Sequence, residues 1–64
     1  MSQQIPSAEF YFTRNGVDYT VYPTGNTTST YDEFNILHRR TNDYLDTIKV
    51  AHTEDVEEAF ARWL

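Results

Sequence analysis

Residues 31–51, YDEFNILHRRTNDYLDTIKVA, decide the fold, because they admit two readings. As a helix, Thr30 is the N-cap, Glu33 completes a capping box, and Phe34, Leu37, Leu45 and Ile48 share one face. As two strands, Glu33 to Arg40 and Tyr44 to Ala51 form a hairpin around Thr41-Asn42-Asp43. A three-residue loop then pairs Ile36 with Ile48 and Phe34 with Val50, with the apolar residues on one face. The helix has to carry Thr41, Asn42, Asp43 and Thr47 in its interior. All four are weak helix formers that compete for backbone hydrogen bonds. The run Thr47-Ile48-Lys49-Val50 favours a strand through its β-branched residues. The hairpin is the preferred reading, and a helix over residues 31–48 is the alternative.

Upstream of this stretch the pattern is clearer. Residues 8–14 alternate, with Phe10 and Phe12 on one side and Glu9, Tyr11 and Thr13 on the other. Asn15-Gly16 follows, the dipeptide best suited to a type I′ turn, in which both central residues need positive φ. Val17, Tyr19 and Val21 alternate in the returning strand. A two-residue turn pairs Phe12 with Tyr19 and Phe10 with Val21, so turn chemistry and apolar pattern agree. Pro23-Thr24-Gly25-Asn26 is expected to end the strand and to lead into a polar loop over residues 27–30. Residues 1–7, with Pro6, read as a flexible tail, which leaves residues 8–64 as one small domain.

Downstream, residues 53–64 read as a short amphipathic helix. Val56, Ala59, Phe60, Trp63 and Leu64 form one apolar stripe. Glu54, Asp55, Glu57, Glu58 and Arg62 take the other side. Thr53 is the expected N-cap, and acids in the first turn suit the positive end of the helix dipole. A helix this short needs a surface to lie on. The predicted architecture is therefore α+β, ββββα, with two hairpins making one antiparallel sheet and the helix across one face; the alternative is ββαα. The predicted core is Phe10, Phe12, Tyr19, Val21, Phe34, Ile36, Ile48, Val50, Val56, Phe60 and Trp63. One helix covers only one sheet face, so Tyr11, Tyr22, Leu37 and Leu45 are expected on the other.

Composition narrows the function. The chain has 64 residues, no cysteine and two glycines, and ten acids against five bases give a net charge of −5. Disulfides, thiolate metal sites and Gly-rich phosphate loops are thereby excluded. No apolar run is long enough to span a membrane, and residues 1–6 carry neither the basic nor the apolar part of a signal peptide. A cytoplasmic protein is expected. Serine occurs only at Ser2, Ser7 and Ser29, with no base nearby in sequence. His38 falls opposite Asp46 in the expected hairpin register, a pairing more often structural than catalytic. His38 and His52 lack metal-ligand spacing. Neither catalysis, nor a cofactor, nor a metal is expected.

Two charge clusters remain. Arg39-Arg40, beside Tyr44, could touch phosphate and stack a base, which makes a small DNA-binding regulator the rival reading. The net charge opposes it, because polyanion binding needs an excess of Lys and Arg. The second cluster is Asp32 and Glu33 with Glu54, Asp55, Glu57 and Glu58. Such a row of carboxylates could enter a basic groove as a mimic of DNA phosphates. Tyr11 and Tyr22 are the competing contact residues, since tyrosine gives contact area at low entropic cost. Self-association through the uncovered face or an edge strand is a third possibility.

The ending, Asp46 to Leu64, resembles that of many small bacterial and phage proteins. In size, acidity and lack of motifs the chain is similar in type to phage-encoded proteins that inhibit host enzymes by binding them. The net charge, the acidic helix face and the absence of catalytic motifs point the same way, to a non-enzymatic protein-binding module whose partner has a basic surface, such as a host nucleic-acid-handling enzyme.

Overall fold

A computed structural model describes residues 9–64; the expected tail, residues 1–7, and Ala8 lie outside the described residues. The elements are β1 (Phe10–Arg14), β2 (Val17–Thr27), β3 (Tyr31–His38), β4 (Asp43–Ala51) and α1 (Val56–Trp63). The four strands form one antiparallel sheet in the order β1-β2-β3-β4. The ββββα reading holds, and residues 31–48 are two strands and their loop rather than a helix.

The first hairpin follows the sequence closely. Asn15 and Gly16 take φ of 54° and 79°, both in the left-handed region that a type I′ turn demands. Phe10 pairs with Val21 and Phe12 with Tyr19. Strand β2 does not stop at Pro23. It runs on to Thr27 through an irregularity between Pro23 and Thr27, where Gly25 has a φ of 98°. Across this break the Glu33 carboxylate accepts from Thr24 Oγ1 and Asn26 Nδ2, both at 2.9 Å, so side chains fasten the strands where the regular ladder shifts.

The second hairpin is displaced from its expected register. Its loop is Arg39 to Asn42, closed by Asn42 N–H donating to His38 O at 2.7 Å, with Asn42 at a φ of 63°. His38 faces Asp43, not Asp46, and Leu37 faces Tyr44. Continued unbroken, that register would turn Ile48 and Val50 to the uncovered side. A bulge prevents this: Ile36 pairs with Asp46, leaving Leu45 as the extra residue. Beyond it Phe34 pairs with Ile48 and Asp32 with Val50. These partners lie two residues from the expected ones, and a slip of two keeps every side chain on its expected face.

The helix starts later than expected. Its N-cap is Asp55 rather than Thr53, and Glu58 accepts from Asp55 N–H at 3.0 Å as in a capping box. Glu54 lies before the helix. The stripe Val56, Ala59, Phe60 and Trp63 packs on the sheet, while Leu64, at the C-cap, is exposed. All eleven expected core residues join one cluster, with Ala59 added. At its centre is Phe60, fully buried, with ring centroids 4.8 Å from Phe12, 5.1 Å from Tyr19 and 5.9 Å from Trp63. Burying such a side chain contributes about 2–3 kcal/mol.

Candidate binding surface

Strand alternation puts Tyr11, Thr20, Tyr22, Tyr31, Asn35, Leu37 and Thr47 on the face away from α1. Tyr44 joins them because the Leu45 bulge inverts the alternation between it and Asp46. Four of the chain's five tyrosines therefore share this face. Leu45, expected there as a regular strand residue, is instead the unpaired bulge position. Tyr11 is 53 % exposed and Tyr44 60 %.

The two halves of the face differ. Across β2, β3 and β4 the polar side chains close on one another. Tyr44 Oη lies 2.6 Å from Thr47 Oγ1, Thr47 Oγ1 donates to Asn35 Oδ1 at 2.7 Å, and Asn35 Nδ2 donates to Tyr22 Oη at 3.1 Å. Toward β1 there is instead an open depression of about 410 Å³, bounded by Glu9, Tyr11, Tyr22, Leu37 and Arg39, with Thr20 at its floor. Thr20 is only 9 % exposed. The Arg39 guanidinium carbon stands 4.1 Å from the Tyr11 ring centroid, and Tyr11 Oη donates to Glu9 Oε1 at 2.7 Å. That hydrogen bond and the Glu9 charge raise the Tyr11 phenol above its ordinary value of 10.0.

Each acid named in the sequence has structural work. Glu54 is only 17 % exposed at its side chain and accepts from Ala51 N–H at 2.9 Å and from both Arg62 Nη atoms. Those Arg62 bonds, then the Ala51 bond, pull its carboxyl down from 4.5 to about 2. Glu57 pairs with Arg14 at 3.1 Å; Asp55 and Glu58 cap α1. Asp32 accepts from Thr27 Oγ1 and lies 3.1 Å from His52 Nε2; these two contacts, in that order, lower its carboxyl. Asn26 and then Thr24 do the same for Glu33. Asp32 and Glu33 lie within β3, with alternation turning them to opposite sides of the sheet. Glu33 belongs to the tyrosine face, apart from the helix acids. Asp46 accepts from Trp63 Nε1 at 2.8 Å, which chiefly lowers its carboxyl, and so ties β4 to the end of α1.

The expected basic tip is divided. Arg39 lies on Tyr11, whereas Arg40 borders a second, smaller concavity with Gly16, Val17, Asp18 and His38. His38 Nδ1 is buried with no hydrogen-bond partner among the described residues. No cluster of three or more His, Asp or Glu side chains suited to a metal ion occurs among the described residues, and no helix among them is long and apolar enough to cross a membrane.

Thr20 was within reach of the alternation over residues 17–22, and Tyr31 once the strand expected from Glu33 is extended to its true start. Tyr44 was not, because a bulge leaves no mark in the hydrophobic pattern. Comparison with protein-family models, with curated proteins and with solved structures returns no match to this chain.

Proposed function

We propose that this chain is a small non-enzymatic protein-binding module that engages its partner through the tyrosine-bearing sheet face. The observation that carries the proposal is the gathering of Tyr11, Tyr22, Tyr31 and Tyr44 on a face that no element among the described residues covers. Rigid aromatic rings with polar tips are what protein interfaces concentrate. The partner is one of basic character. Most hydrogen bonds to the acids come from neutral groups, such as Thr24, Asn26, Thr27 and backbone amides, and so leave the carboxylates charged. The net charge of −5 then attracts positive surfaces over a distance. In this reading the acids steer and the tyrosines hold. Glu54, Asp55 and Glu57 serve the fold first, which argues against a free row of phosphate-like carboxylates on α1. The basic channel of a nucleic-acid-handling enzyme is a partner of this kind, and occupying it would inhibit the enzyme.

The test is capture from a bacterial lysate by the tagged full chain after nuclease treatment. A Tyr11→Ala/Tyr44→Ala chain and a Glu57→Lys/Glu58→Lys chain run alongside, with Trp63 fluorescence reporting that each is folded. A protein captured by the wild type and lost with the tyrosine variant is the expected result. Capture that survives the tyrosine changes but not the acid reversals moves the contact to the helix. Retention that vanishes with nuclease overturns the proposal in favour of nucleic acid.

A further inference from the structure

We infer that the depression beside Tyr11 is a seat for an arginine side chain of a protein partner, and that Arg39 partly fills this role in the free chain. The inference rests on the proposed sheet-face function and names the chemistry that face takes. Four observations converge on it. The Tyr11 ring already carries a guanidinium, that of Arg39, at 4.1 Å, so its face is oriented for a planar cation. Glu9 places a carboxylate at the same ring's hydroxyl, 2.7 Å away, as counter-ion. Leu37 supplies an apolar wall for a methylene stem, and about 410 Å³ of open volume leaves room beside Arg39 for a second side chain. Finally, Tyr22 Oη is already bonded to Asn35, which steadies the opposite wall.

The alternatives fit less well. A phosphate would meet the Glu9 carboxylate and a chain of net charge −5. A second copy carries the same net charge; its Arg14 and Arg62 are paired with Glu57 and Glu54 and its Arg39 lies on Tyr11, which leaves Arg40 as the one arginine it has to offer. Arginine suits the site better than lysine, because its flat, weakly hydrated fork stacks on a ring while donating edgewise to a carboxylate.

The experiment is an NMR titration of the full, isotope-labelled chain with the capped pentapeptide Gly-Gly-Arg-Gly-Gly. Its lysine and glutamate counterparts and a short oligothymidylate serve as competitors. Shifts confined to the amides of Tyr11, Thr20, Tyr22, Leu37 and Arg39 are expected, larger for arginine than for lysine and absent for glutamate. Glu9→Gln and Tyr11→Leu should each weaken binding about threefold, and Arg39→Ala, which vacates the ring, should tighten it by about the same factor. Shifts on α1 instead, a stronger response to oligothymidylate, or weaker binding in Arg39→Ala would overturn the inference, as would no response at all. Sedimentation of the unliganded chain as a dimer would assign the seat to Arg40 of a second copy and overturn it equally. If the peptide fails while protein capture still depends on Tyr11 and Tyr44, the sheet-face function stands without the arginine seat. If the peptide binds while capture ignores the tyrosines, the seat stands and the function fails.

Discussion

Glu54 is held between the Ala51 amide and the Arg62 guanidinium, tying the turn before α1 to the helix's last turn. The unfolded chain titrates this group near 4.5 and the folded chain near 2. The unfolded state therefore takes up the proton first, so the stabilisation is complete above about pH 4.5 and is lost as pH falls through about 2. Asp32, Glu33 and Asp46 are lowered in the same direction. Urea unfolding followed at Trp63 should show stability falling with acid across that window, with a shallower fall in Glu54→Gln. Parallel curves for the two chains would refute the assignment. Phe60 is the larger single contribution. A domain of this length has a total stability of about 3–10 kcal/mol, and Phe60→Ala should remove about 3–5 kcal/mol. We expect urea unfolding to show that loss directly, whereas Tyr11→Ala, which gives up only an exposed cross-strand contact and the Arg39 stack, should cost about 1 kcal/mol or less.

At the scale of elements, the second hairpin depends on the match between its loop and its bulge. The Arg39–Asn42 loop sets one alternation, and the Leu45 bulge restores the other so that Val50 is buried and Ile48 packs partly buried against the core. Deleting Leu45 would let Leu37–Tyr44 and Ile36–Asp46 follow one another in a regular ladder, with every face preserved. That deletion should keep the fold, with a melting temperature equal to or above that of the wild type. Loss of the half-buried Trp63 signal would show instead that the bulge is needed for more than alternation. Most of the fold was legible here. Asn15-Gly16 specified its hairpin, and the apolar alternation named the core. The bulge was not legible, since Leu45 is as apolar as its neighbours and the pattern alone does not mark an unpaired residue. The helix start was misplaced by two residues for a similar reason: Thr53 and Asp55 are both capable caps, and Glu58 stands three residues after Asp55 to complete the box.

As a whole the described residues form a slab of 38 × 24 × 15 Å, one sheet and one helix thick. Such a layer pair buries one sheet face and leaves the other bare. Distributed charge and local contact then act on different steps of binding. Once a partner is in hand, Glu57→Gln/Glu58→Gln should lower its association rate and flatten the dependence on salt, while Tyr11→Ala should raise the dissociation rate and leave the salt slope unchanged. Stopped-flow measurements at low and physiological ionic strength separate the two; a change in salt slope with Tyr11→Ala would mean that the ring acts through charge.

The sequence by itself determined the first hairpin, the terminal helix, the apolar face and the sign of the molecule's field, because each depends on local periodicity, turn chemistry or a simple count; it left residues 31–48 between a hairpin and a helix, which the structure decided. Only the tertiary structure decided how the site is assembled. It brought Arg39 onto Tyr11, turned Tyr44 to the open face and committed Glu54 to Arg62. These outcomes depend on one bulge and on side chains meeting between strands and across the length of a helix, distances over which sequence spacing carries no information about contact.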